Sequence, residues 1–118
     1  MGERERILLA DDLSFTREGM RETIELFGEE DGHQVVGEAS SLAQVEELLK
    51  GGLRPTLAII DANMPNRGDG EKAAAVIRQI SPETKIVSHS SQLQTWGDVN
   101  WVKGELLARE LVEQINKL

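Results

Sequence analysis

Apolar residues recur in this chain in two alternating rhythms. Short runs with no polar face, Ile7 to Ala10 and Leu57 to Ile60, are separated by stretches whose apolar positions return every three or four residues. The first rhythm is that of a strand buried on both sides, the second that of a helix packed along one stripe. Arg6-Ile7-Leu8-Leu9-Ala10 predicts the first strand. Met20, Ile24 and Phe27 share one face and predict a helix over about residues 15 to 27, capped by Ser14, with that face on the sheet. After an acidic turn from Gly28 to Gly32, Gln34 to Ala39 predicts a second strand short enough for a sheet edge. Ser41 with Gln44 forms a capping box for a helix carrying Leu42, Val45, Leu48 and Leu49, which Gly51 and Gly52 stop. The central strand, Leu57 to Ile60, follows Pro55. Ala73, Ala74, Val76, Ile77 and Ile80 predict a close-packing helix over about residues 70 to 80, begun at Asp69 and ended by Ser81-Pro82. Thr84 to Ser90 and Val99 to Lys103 predict two more strands, and Glu105 to Leu118, with Leu107, Leu111, Ile115 and Leu118 aligned, a last helix. This alternation is that of an α/β fold with a parallel sheet and right-handed crossovers.

One crossover is too short. Residues 91 to 98, Ser-Gln-Leu-Gln-Thr-Trp-Gly-Asp, are all that return the chain from Ser90 to Val99, whereas a crossover with a helix takes about a dozen residues or more. No helix, or a single turn, is expected there. An uncovered strip of sheet should result, wetted beside Ser88, His89 and Asn100, with Leu93 and Trp96 folding back over the remainder.

Composition narrows the function. At 118 residues the chain is expected to be a single domain over 1–118, with no room for a separate output domain. Its formal charge of −8, from 21 acidic against 13 basic residues, offers no basic stripe for nucleic acid. Direct nucleic-acid binding is therefore not expected. With no cysteine, no apolar run long enough to span a bilayer and a charged start, a soluble cytoplasmic protein without membrane contact is expected.

The chemistry lies where the strands end. Ile59-Ile60-Asp61-Ala62-Asn63-Met64-Pro65 runs from a buried strand into a carboxylate and then a turn, which presents Asp61 at the carboxyl edge of the sheet, where α/β folds bind ligands. An aspartate that merely ends a strand would look the same. The first strand ends on Asp11-Asp12, readable also as acids beside a helix N-terminus. Ser90 ends the fourth strand and Lys103 the fifth. Three converging carboxylates call for a hard cation, and Mg²⁺ suits oxygen donors in a chain with two histidines and no cysteine. Lys103 adds a charge for an anion and Ser90 a donor, so the edge is suited to phosphate. A carboxylate there can act as nucleophile and form an acyl phosphate.

With Asp11-Asp12, Asp61-x-x-Met64-Pro65, Ser90 and Lys103 at successive strand ends, the chain resembles the receiver domains of two-component response regulators. The segments Arg17-Glu18-Gly19-Met20 and Val35-Val36-Gly37-Glu38-Ala39 are similar to the NarL/FixJ-type subgroup. The resemblance implies a flavodoxin-like, CheY-like, doubly wound five-stranded sheet of order 2-1-3-4-5, here without the helix between strands 4 and 5. It makes Asp61 the phosphoacceptor and Asp12 a direct Mg²⁺ ligand. Asp11 acts through water or by positioning, and the Asn63 backbone carbonyl completes the protein ligands. Ser90 hydrogen-bonds the phosphoryl group, and Lys103 pairs with it in the modified state alone. The implied partners are a sensor histidine kinase or histidine phosphotransfer protein, a downstream protein and, through the uncovered strip, a second copy of the chain as a homodimer. Such a module is not an enzyme beyond promoting its own phosphorylation and dephosphorylation.

Four features depart from the family pattern. Gly104 follows Lys103 where proline is usual, the Asp61 loop is one residue longer, and Trp101 lies two rather than three residues before Lys103, so it is read as a core or edge tryptophan. The fourth is the short crossover. His33 and His89 are read as a turn and a strand residue, not as ligands. A Mg²⁺-dependent aspartyl phosphatase is the weaker alternative, because Asp11-Asp12-Leu13 lacks that fold's Asp-x-Asp nucleophile pattern. A phosphate-independent interaction module is the other.

Overall fold

The computed structural model describes residues 4–104 and 108–118. Five strands, β1 (Arg6–Ala10), β2 (Gln34–Ala39), β3 (Leu57–Ile60), β4 (Lys85–Ser90) and β5 (Val99–Val102), form one parallel sheet in the order β2-β1-β3-β4-β5. Helices α1 (Ser14–Phe27), α2 (Leu42–Lys50), α3 (Asp69–Ile80) and α4 (Ala108–Asn116) cover it. The expected start of the last helix at Glu105, and Leu107 on its face, lie outside the described residues.

Alternation along the strands sorts two cores. Leu8, Ala10, Ala58, Ile60 and Ile86 face α2 and α3, meeting Val45, Leu49, Ala73, Ala74 and Ile77. Ile7, Leu9, Leu57, Ile59 and Val87 face the other way, onto Ile24, Leu111 and Ile115. All four residues of β3 are buried because it is paired on both sides and covered on both faces. As expected, β2 is an edge strand. Trp101 is a core residue of the other edge strand, 8 % exposed.

Local details differ from the periodicity at three points. Ser14 is the first residue of α1 rather than its cap; Leu13 occupies the N-cap position, and no side chain caps the helix. Of the predicted inner face of α1, Ile24 is buried and Met20 packs against the core, but Phe27 is 44 % exposed, since the helix ends as it leaves the sheet. In the α2 box, Ser41 accepts from the Gln44 amide, while the Gln44 side chain reaches back to Ser40 rather than to Ser41.

No helical turn lies within residues 91–98, as the short crossover requires. The strip beneath is nevertheless closed by polar groups of the loop and of β5. Ser88 is fully buried and its hydroxyl donates to Asn100 Oδ1 at 2.7 Å. The same oxygen accepts from Gly97 N–H, and Asn100 Nδ2 donates to the Gly97 carbonyl. Asp98 mimics one more strand residue: its N–H donates to Ile86 O, and its Oδ2 accepts from Ile86 N–H at 2.8 Å. Arg78 of α3 holds the loop by donating to the Trp96 carbonyl and pairing with Asp98. Trp96 folds back onto the α2/α3 core as expected, but Leu93 does not, being 68 % exposed. His89 lies on the opposite face, beside Met20 and Leu111.

Candidate functional site

The carboxyl edge of the sheet gathers the predicted acids. Asp11, Asp12 and Asp61 each bring a carboxylate oxygen within 4.8 Å of the others. Asp61 follows β3 directly, its N–H donating to Ala10 O, so the pairing of β1 and β3 sets where its side chain leaves the sheet. Asp11 extends β1 in the same way, donating to Ala39 O of β2. Its Oδ1 accepts from Leu13 N–H at 2.9 Å, a local turn that aims Oδ2 inward. Both residues are buried, and Asp12 is the more open of the three acids.

Lys103 closes the cluster. Its Nζ lies 3.2 Å from Asp11 Oδ2 and 3.2 Å from Asp61 Oδ2. The expectation that this lysine meets only a modified aspartate is therefore corrected: two buried carboxylates hold it already, because burial without a counter-ion would be unfavourable. Its N–H donates to Ser90 O, so β4 positions it, and Gly104 next to it has φ +88°, which a proline cannot adopt. The missing proline thus reflects a different turn that keeps the lysine in place.

Burial pushes the Asp61 carboxyl up to about 6, and the nearby Asp11 charge pushes the same way, against Lys103 and the Asn63 N–H. Lys103 is drawn down by burial, but Asp11 and Asp61 outweigh this and hold it above its usual value. His89, half-buried nearby, is lowered by burial first and by the Lys103 charge second.

Ser90 and Asn63 stand beside the cluster. Ser90 is buried at the end of β4, and its Oγ accepts weakly from Gln92 N–H at 3.4 Å. Asn63 N–H lies 3.4 Å from Asp61 Oδ1, at the start of the loop whose Met64-Pro65 bond is cis. Met64 is buried in the core and anchors that loop. Its far end shows what the sequence reading missed. A Cβ on Gly70 would lie 2.1 Å from the Asp61 carbonyl, so only glycine lets the first turn of α3 donate to Ala62 O. A glycine inside a first helical turn, where helix propensity disfavours it, was the available signal.

Oxygen donors on three sides and the lack of any thiol suit a hard cation such as Mg²⁺ better than a soft one. Among the described residues, no helix is long and apolar enough to cross a membrane.

The family of response regulator receiver domains matches residues 7–99. Among solved structures, the signal receiver domain of NarL from Mycobacterium tuberculosis is 28 % identical, with a TM-score of 0.76 over 96 % of this chain and 94 % of that one. A DNA-binding response regulator of the LuxR family from Staphylococcus aureus is 24 % identical, with a TM-score of 0.77 over 96 % and 97 %. A CheY-like receiver from Methanospirillum hungatei is 18 % identical, with a TM-score of 0.79 over 98 % and 93 %. The last two share the fold. Among curated proteins none matches the chain significantly. Receiver domains are signalling modules that work with histidine kinases and downstream effectors. The matched family and the shared fold agree with the acid cluster at the sheet edge, and the chain belongs to the response regulator receiver domain family.

Proposed function

We propose that this domain accepts a phosphoryl group on Asp61 in a Mg²⁺-dependent reaction and then presents changed surfaces to a downstream protein. The observation that carries the reading is the buried Asp61 carboxylate within 4.8 Å of two more acids and 3.2 Å from a lysine. Asp12 and Asp61 would be the direct carboxylate ligands, with the Asn63 backbone carbonyl. Asp11, whose two oxygens already have partners, would act through water or by positioning. When bound, Mg²⁺ neutralises the acid cluster and the phosphoryl oxygens. One Asp61 oxygen attacks the phosphorus of a phosphohistidine, an O–P bond forms as the P–N bond breaks, and the imidazole leaves with a proton from solvent. Lys103 moves its contact from the Asp61 carboxylate to the phosphoryl group, and Ser90 donates to a second oxygen.

The donor is a sensor histidine kinase or a histidine phosphotransfer protein, acting in the cytoplasm on residues 1–118 as a single domain that turns over no other substrate. A homodimer, where phosphorylation drives one, would use the β4–β5 loop in place of the family's helix. Treatment with a small phosphodonor and Mg²⁺ should add one phosphate by intact mass, and Asp61→Asn or a chelator should abolish it. Equal uptake in that variant would overturn the assignment. The rebuilt β4–β5 loop favours one second reading, a phosphate-independent interaction module, which no uptake in the wild type would support.

A further inference from the structure

The segments around Arg17 and Glu38 lie far apart in sequence and meet behind the acid cluster, where the reaction above makes no use of them. Arg17 Nη1 donates to the backbone carbonyl of Asp11 at 2.6 Å, and Arg17 Nε donates to Glu38 Oε1 at 3.2 Å. The other Glu38 oxygen accepts from Arg21 Nη1 at 2.9 Å. Arg17 is well shielded, its side chain 17 % exposed. We infer that Arg17, held by Glu38, is a positioning residue that sets the Asp11–Asp12 peptide and thereby the Mg²⁺ affinity of the site.

The inference rests on the Mg²⁺ reading of the cluster and concerns how its most open ligand is held. The loop from Asp11 to Leu13 leaves the sheet at Ala10 and enters α1 without a side-chain cap, so capping does not fix its path. Asp11 is fixed at its N–H by Ala39 O and at its two carboxylate oxygens by Leu13 N–H and Lys103. Its carbonyl is fixed by Arg17 alone among the contacts described. That carbonyl belongs to the same rigid plane as the Asp12 N–H and Cα, because the peptide bond does not rotate. Holding the Asp11 oxygen therefore restrains the position of the Asp12 Cα, the point from which the Asp12 carboxylate departs. A guanidinium can serve two partners at fixed angles, one with Nε and one with Nη1, whereas a lysine ammonium is a point charge on a flexible stem. Glu38 is the partner that keeps the fork turned towards Asp11.

The test uses the metal-free protein with Arg17→Lys, Glu38→Gln and, as a control, Arg21→Ala, each checked for folding by its melting curve. Mg²⁺ titration followed by NMR gives the affinity, and amide exchange of Leu13 reports the loop without metal. Arg17→Lys and Glu38→Gln should weaken Mg²⁺ binding about tenfold, in line with supporting contacts to metal ligands. The Leu13 amide should exchange faster in both, while the Asp61 amide should not. Arg21→Ala should stay within about twofold of the wild type, since it leaves the contact to Asp11 in place. The double variant should be no weaker than either single one, as for two parts of one device. Arg17→Lys matching the wild type would mean that only its charge matters and would overturn the inference. Faster Leu13 exchange with unchanged Mg²⁺ affinity would also overturn it, leaving a structural clasp. A wild type with no saturable Mg²⁺ response would overturn the metal reading itself, an outcome distinct from binding that the variants leave unaltered. If Arg17→Lys does not fold, Glu38→Gln decides alone.

Discussion

Asp61 and Lys103 form a balance of opposed terms at the scale of single residues. Asp61 sits where burial raises its carboxyl to about 6, well above the ordinary 3.8. A carboxyl raised in the folded state favours folding when protonated, so its contribution is fully present below pH about 4 and lost as pH rises through about 6. In chelator, the unfolding free energy should therefore fall between those two pH values, and Asp61→Asn should flatten that slope. Denaturant titrations of both proteins check this, and parallel slopes would contradict it. Lys103 pairs with the same carboxylate before any modification, so its role depends on the difference between two contacts rather than on one new contact. Lys103→Ala should leave the phosphorylated and unphosphorylated forms more alike in their NMR spectra than in the wild type. Asp11, Asp12 and Asp61 were legible because they follow buried apolar runs, and Ser90 and Lys103 because they end predicted strands at the same edge. The raised carboxyl and the paired lysine were not, since burial and distance are properties of the assembled edge.

At the scale of elements, the β4–β5 connection departs most from the periodicity. Eight residues cannot hold a packed helix, and the sequence establishes that by length alone. What fills the space depends on Asn100 and Asp98, whose side chains complete hydrogen bonds that backbone would otherwise supply. Asn100→Ala leaves the buried Ser88 hydroxyl without its acceptor, and Asp98→Ala leaves the Ile86 N–H without one. Each should cost about 1–3 kcal/mol of stability, read as a lower denaturant midpoint at unchanged slope. A loss under 0.5 kcal/mol, within the ordinary range of surface substitutions, would mean that water replaces the side chain and the strip is wet after all. The polar residues of β4 had suggested water. Ser88 is instead paired with Asn100 of β5, whereas His89, on the other face, has a buried Nδ1 with no hydrogen-bond partner among the described residues, and only three-dimensional proximity distinguishes these cases from a wet strip.

For the whole molecule, His33 links segments that no local pattern connects. Its Nδ1 accepts from Glu5 N–H at 3.0 Å, so Nε2 carries the proton and donates to Asn116 Oδ1 at 2.6 Å. Asn116 in turn donates to Asp31. The start of β1, the turn before β2 and the end of α4 are thereby joined at the edge opposite the acid cluster. His33→Ala should cost about 1–3 kcal/mol by leaving the buried Glu5 N–H without a partner. It should also speed amide exchange in α4 more than in β3. Uniform loss of protection across both would instead mean that α4 does not loosen separately.

The sequence by itself determined the order of strands and helices, the acids and lysine at the strand ends, and the impossibility of a helix in residues 91–98. Those follow from period, run length and chain reach, all of which are local. Only the tertiary structure decided which groups share a hydrogen bond. Arg17 and Glu38 were noticed as parts of motifs, but their meeting at the Asp11 carbonyl depends on α1 lying across the end of β2. The need for glycine at position 70 likewise depends on how closely α3 approaches the end of β3. Hydrophobic patterning is imposed residue by residue along the chain, whereas charge pairing, burial and close approach arise between segments that only the folded sheet brings together.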